Sequence, residues 1–295
     1  MVAAVNAREW HVRDVLLPGG RRLRARTREG RGRPLVLLHG LLDDSEGWNE
    51  LARDTTRPCV AIDLPGFGGS DVPARPRISA YADDVIAGLD RLRVDSCVLV
   101  GHSLGGAVAT AVDERAEDLV CGLALLAPAG YGSIRLAEAF ALPGVIDVAE
   151  LALPFALVSP LMVTAAYTTF VAHGHMPSKD LTTRLRRRAF RSGPGVRAAV
   201  QAIAAAGRSS HGFQHRRVGF DGPVAALWGE HDALVPLAHL GALRRALPQA
   251  HVEVWRGMGH HPQRERPEQL NEFIELQAAR ARSPRRARPA LRAVS

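Results

Sequence analysis

The chain is poor in cysteine and has no apolar run at its amino terminus. Cys59, Cys97 and Cys121 are the only three cysteines in 295 residues, an odd and widely spaced set that argues against a disulfide framework and against a zinc site. Each falls at or in a strand pattern, so they read as small buried hydrophobes in a reducing compartment. Arg8, Glu9 and Arg13 break any leading apolar stretch, so no signal peptide is expected and the expected location is cytoplasmic. No internal repeat is present. Acid is missing from the last sixteen residues, which carry Arg280, Arg282, Arg285, Arg286, Arg288 and Arg292. Six of the eight net positive charges therefore sit in that tail, leaving +2 for the body, and nucleic acid is not an expected partner. With Pro284 and Pro289 opposing helix, the tail reads as solvated and disordered, contact with an anionic membrane or polymer being the alternative. Charge is also missing from Leu151 to His173, which holds no Asp, Glu, Lys or Arg. By hydropathy that stretch could span a membrane, but Pro154, Pro160 and several threonines interrupt it and strand patterns flank it, so no integral span is expected.

What is present centres on Cys97 to Val112. Cys97 to Val100 is a short continuous apolar run, as a strand buried on both faces of a parallel sheet requires. A helix pattern follows, with Leu104, Val108 and Val112 on one face. Between them lies Gly101-x-Ser103-x-Gly105, whose glycines leave room for a backbone bend that side chains would block. Ser103 is thereby expected in a strained conformation at the positive end of a helix dipole.

The 295 residues suffice for one large α/β domain with an insertion, or for two ordinary domains. Strands are expected at Trp10–Leu17, Arg22–Thr27, Leu35–Leu38, Cys59–Ile62, Val120–Leu126, Val224–Trp228 and His251–Trp255, alternating after the first pair with helices. The helices include Ser79 to about Leu92, with Ser79 as N-cap, and one opening at Pro267. The predicted organisation is a core over 1–130 and 218–279, an inserted helical cap over 131–217 and the basic tail over 280–295. Within the insertion, Pro143, Pro154, Pro160 and Pro177 are expected to divide the helices into short pieces, and the arginine-rich Leu181 to Arg191 to be an outward solvated face.

A serine hydroxyl attacks only if a base takes its proton, and that base needs a carboxylate to fix its tautomer. Asp232 and His260 both follow directly on predicted strands and would project from the same carboxyl edge of the sheet as Ser103. Glu230 and Asp221 are rivals for the acid and His261 for the base. His39 and His102 are expected to pack or hydrogen-bond beside the site. His173 and His175 form an H-x-H pair without a third ligand, so no metal is expected. Asp63, Pro65 and Gly66 are expected to shape a loop, and Trp48 to line or brace a pocket.

Five blocks in this order carry a resemblance: HG at His39 and Gly40, DLPGFGGS from Asp63, GHSLGG from Gly101, GEHDALVP from Gly229 and GMGHHPQRERPE from Gly257. The chain resembles the cap-bearing, esterase- and lipase-like serine hydrolases of the α/β-hydrolase fold family over nearly all its length outside the insertion and tail. The resemblance implies a mostly parallel central sheet flanked by helices, a nucleophile at Ser103, an acid at Asp232 and a base at His260. It also implies an oxyanion hole made by the backbone amides of Leu41 and Leu104. No cofactor and no metal are implied; the substrate would be a hydrophobic small molecule with an ester or related acyl bond. Members that open epoxides or remove halide use an aspartate where this chain has Ser103. C–C bond hydrolases usually carry Asn before the serine and Trp after the histidine, where this chain has His102 and His261. Perhydrolysis and acyl transfer share the same acyl-enzyme, and some members serve as small-molecule receptors instead.

Overall fold

Short runs of apolar residues with no polar alternation form the middle of the sheet, because both of their faces are covered. In the computed structural model, which describes residues 9–116, 118–171, 176–208 and 222–281, these are β3 (Leu35–Leu38), β4 (Cys59–Ile62), β5 (Cys97–His102), β6 (Val120–Leu126) and β7 (Val224–Gly229), all buried along their length. At one edge the hairpin β1 (His11–Leu16) and β2 (Arg22–Arg28) adds antiparallel to β4, and at the other β8 (His251–Trp255) adds parallel to β7. The eight strands run in the order β1-β2-β4-β3-β5-β6-β7-β8, parallel from β4 onward. The chain order reverses beside β3 and β5, so the crevice outside their carboxyl ends is where an open α/β sheet receives a ligand.

Alternate side chains of each strand feed two cores. Val36, Leu38, Ile62, Leu99 and Leu125 pack on one side with α2 (Ile78–Arg91), α3 (Leu104–Arg115) and α8 (Leu240–Ala246). Leu35, Leu37, Ala61, Val98 and Val100 pack on the other with α1 (Asn49–Asp54) and α9 (Pro267–Arg280). Cys59, Cys97 and Cys121 are free and buried, and Trp48 belongs to the second core, where it braces the sheet and does not reach the cavity described below.

Between β6 and β7 lie α4 (Arg135–Phe140), α5 (Val145–Val158), α6 (Pro160–Ala166) and the long α7 (Lys179–Arg208). Several local expectations are corrected here. β5 continues through Gly101 to His102, placing the bend at Ser103 itself. The helix expected from Ser79 begins at Ile78, capped only by the extended backbone of Arg77. Pro154 sits inside α5 and Pro194 inside α7 without ending either helix, because the two helices pack along one another and that burial outweighs the lost hydrogen bonds. No single helix among the described residues is long and apolar enough to cross a membrane; Val145–Val158 and Pro160–Thr169 pass only as a pair bent by 107°.

The arginine-rich stretch also differs from its expected outward face. The Arg184 side chain is only 4% exposed and bonds to Asp43 at 3.1 Å, Asp44 at 2.7 Å and Asp180 at 2.9 Å. Arg188 reaches Asp44 as well, and Arg264 binds Asp43 at 2.7 Å. Arginines four apart on a helix share one face, and that face meets two adjacent acids on the loop after β3. A second tether is steric: no Cβ could be accommodated at Gly195 of α7, which lies directly on the backbone of Gly66.

Candidate active site

The serine turn is built by backbone contact. Ser103 has φ 54° and ψ −115°, a left-handed conformation that costs a non-glycine residue about 1–3 kcal/mol. The neighbouring glycines are sterically required. A Cβ at Gly101 would lie 2.4 Å from the Gly105 carbonyl, one at Gly105 would strike the Leu38 carbonyl, and one at Gly106 would meet Pro128. A Cβ at Gly40 would come within 3.2 Å of Ser103 Cβ, so the loop after β3 is laid against the serine. The amide of Leu104 opens α3, and neither it nor the Leu41 amide donates to another group among the described residues.

Asp232 and His260 stand beyond β7 and β8. The His260 imidazole donates from Nδ1 to Asp232 Oδ2 at 2.7 Å, with both side chains buried. The other carboxylate oxygen, Oδ1, accepts the amides of Leu234 and Val235 at 2.9 and 2.8 Å, so the carboxylate is oriented as well as hydrogen-bonded. This arrangement leaves Nε2 as the free basic atom of His260. Ser103 and His260 line one cavity of about 520 Å³, roofed by residues of α5, α6 and α7 such as Leu153, Leu157, Val163 and Leu185. No hydrogen bond joins Ser103 Oγ to His260 among the described residues; such bonds are commonly long before substrate binds. The insertion touches the imidazole residue directly, since the His260 amide donates to the Val171 carbonyl at 2.6 Å.

The rivals have other partners. Glu230 accepts the Gly257 amide at 3.0 Å, and Asp221, His173 and His175 lie outside the described residues. His261 also lines the cavity, its ring 4.7 Å from that of His102 and 5.9 Å from Tyr167. His102 donates from Nε2 to the His260 carbonyl at 2.7 Å and accepts the Gln263 amide on Nδ1 at 3.2 Å, fixing it as a neutral tautomer. His39 accepts the Leu64 amide at 2.9 Å and donates to the Gly40 carbonyl at 2.7 Å, which pins the loop against Ser103. Asp63 shapes its loop by accepting the amides of Ser45 and Gly69. No group of three or more His, Cys, Asp or Glu among the described residues is arranged to hold a metal ion.

Burial pushes the imidazoles of His39, His102 and His261 below the usual histidine range, helped at His102 by His260 and at His261 by His102 and Arg264. Burial alone would raise the Asp43 carboxyl, but Arg264 and Arg184 hold it far below the usual carboxylate range. The histidine shifts carry a prediction. Below about pH 6.5 the unfolded chain takes up protons that the folded one refuses, so stability falls as pH drops, by up to ~1.4 kcal/mol per unit for each imidazole. Thermal melts between pH 7.5 and 5.5 should show this fall; a flat midpoint across that range would contradict it.

The model of the α/β-hydrolase fold matches residues 33–267. The chain belongs to the α/β-hydrolase fold family. A curated relative, the dihydrolipoyllysine-residue acetyltransferase component of the acetoin cleaving system of Pseudomonas putida, is 33% identical over 260 residues, covering 86% of this chain and 66% of its own. This α/β hydrolase thus spans just under two thirds of that relative's length. Among solved structures, a thermophilic esterase from Thermogutta terrifontis superposes with a TM-score of 0.71 at 24% identity, covering 90% of this chain and 97% of the esterase. An epoxide hydrolase superposes with a TM-score of 0.74 at 20% identity, covering 92% and 99%. Likeness at those identities shows the fold alone.

No role for Asp43, Asp44 or Arg264 is expected from the sequence, and Arg184 is expected on an outward face. The signal was available in part: an acid pair directly follows His39-Gly40-Leu41-Leu42, and Arg184 and Arg188 have helical spacing. What the sequence lacks is any mark that two segments 140 residues apart face each other.

Proposed function

We propose that this protein is a serine hydrolase that cleaves a carboxylic ester of a hydrophobic small molecule through an acyl-enzyme. The observation that carries this reading is the 2.7 Å bond from His260 to Asp232, with Ser103 on the wall of the same cavity in a left-handed turn. Ser103 Oγ attacks the carbonyl carbon while His260 Nε2 takes its proton, and Asp232 stabilises the imidazolium. The oxyanion is held by the amides of Leu41 and Leu104, both without another acceptor among the described residues and the second at a helix N-terminus. His260 then protonates the departing alcohol, and water repeats the sequence to release the acid. The helices over Ser103 act as a cap that excludes solvent. Epoxide opening, named for one of the structural neighbours, is disfavoured because residue 103 supplies no carboxylate.

The cavity wall is overwhelmingly apolar, which favours a long acyl or aryl group. Each methylene buried there is worth ~0.8 kcal/mol, or roughly fourfold in kcat/KM. A fluorophosphonate probe should add one adduct, on the peptide containing Ser103, and p-nitrophenyl esters from acetate to octanoate should turn over with rising kcat/KM. Labelling without multiple turnover of any ester would favour a receptor; absence of labelling would remove Ser103 as nucleophile.

A further inference from the structure

α5 is apolar on two opposite faces, and only one is covered by the described residues. Ile146, Ala149, Leu153 and Leu157 point into the cavity. Val148, Leu151 and Phe155, at spacings of three and four, form the opposite stripe and are 67%, 74% and 63% exposed. The stripe continues onto Leu161 and Met162 of α6, and onto Phe190 of α7, whose ring meets that of Phe155 at 6.3 Å edge to face while remaining 73% exposed. Contiguous exposed apolar surface of this kind marks an interaction site.

We propose that this outward face of α5, α6 and the first half of α7 docks onto an anionic lipid bilayer, lying in the interface with its apolar side chains inserted. Charge selects the occupant. Arg186, Arg187 and Arg191 flank Phe190 at helical spacing or adjacent to it, are exposed, and pair with no acid among the described residues. The acids nearby have arginine partners already: Asp147 and Glu150 hold Arg197, and Asp180 holds Arg184. Aromatic and aliphatic side chains flanked on α7 by arginines that pair with no acid among the described residues match headgroup phosphates above an acyl layer. A second copy docking through a two-fold axis would set these arginines against themselves. Residues 282–295, which carry five arginines and no acid, would be repelled in the same way. The 107° bend between α5 and α6 suits a segment that lies along a surface and does not cross it. The surface would sit directly above the cavity roof, so an apolar molecule leaving the bilayer would have a short path inward.

The inference does not depend on the Ser103 chemistry, and its test reads binding alone. The full chain is sedimented with vesicles of phosphatidylcholine, with or without phosphatidylglycerol, at 50 and 500 mM NaCl. Each arginine near an anionic surface strengthens binding about fivefold. The expected result is at least tenfold stronger binding to the anionic vesicles, weakened by salt. R186Q/R187Q/R191Q should fall to the level seen on phosphatidylcholine, and L151S/F155S/F190S should lose at least tenfold on both. All these positions are exposed, so unchanged melting curves accompany the loss. Wild-type binding by both variants would overturn the proposal, as would no binding by the wild type. A dimer in sedimentation equilibrium that L151S/F155S/F190S dissociates would assign the face to a second copy.

Discussion

Ser103→Ala lowers kcat/KM on the best p-nitrophenyl ester by at least about 10⁴-fold, and Ser103→Gly does the same while giving the more stable protein. The first effect follows from losing the oxygen proposed to attack, which would leave only the proposed oxyanion amides and substrate binding to act. The second follows from the backbone. At φ 54° and ψ −115° any residue with a Cβ is strained, and alanine keeps that strain whereas glycine does not. Part of the relief is offset by glycine's larger entropy when unfolded, so the glycine variant should exceed the alanine variant by about 1 kcal/mol in urea denaturation. The comparison separates fold from chemistry: two variants equally inactive but different in stability show that the turn is held for catalysis at a cost to folding. Retention of more than a hundredth of the activity in either variant would remove Ser103 from its assigned role.

Arg184→Met destabilises the protein by about 3 kcal/mol and also slows ester turnover. Arg184 is buried between Asp43 and Asp44, and burial opposes its charge, which Asp43 and Asp180 more than restore. Methionine fills part of the space but, among the described residues, leaves Asp43 the guanidinium of Arg264 and Asp44 the guanidinium of Arg188 and the amide of Glu46. The acids lie two and three residues after Leu41, whose amide is proposed to hold the oxyanion, so loosening this loop should reduce kcat/KM by tenfold or more through kcat. Arg186→Met, on the exposed side of the same helix, is the control and should change stability by no more than about 0.5 kcal/mol. A change below 1 kcal/mol in the Arg184 variant, with unaltered kcat, would show that the buried network neither holds α7 down nor positions the loop.

The central strands were legible because their signal is local. Leu35–Leu38, Cys59–Ile62 and Val120–Leu126 begin and end in the structure where the apolar runs do. The glycine spacing around Ser103 was legible for a similar reason, since a bend that tight admits few residue types. The insertion was harder to read. Pro154 ordinarily ends a helix, yet α5 runs through it because α7 packs alongside. Ser79 is a good cap by type, yet the helix starts one residue earlier. The arginines of α7 look like solvated charge until the acids they meet are known.

By its residues alone this chain determined the order of its strands and helices, the bend at Ser103 and the residue types available at the strand ends, because each of these depends on neighbours a few positions away. Tertiary structure alone decided that Asp232 hydrogen-bonds His260, that Asp43 and Asp44 bury Arg184, and which side of α5 faces the cavity and which is left bare. Those outcomes depend on how the insertion settles over the carboxyl edge of the sheet. Pairing across more than a hundred residues, as between Asp44 and Arg184, is fixed by burial and charge acting in three dimensions and leaves no periodic trace in the linear order.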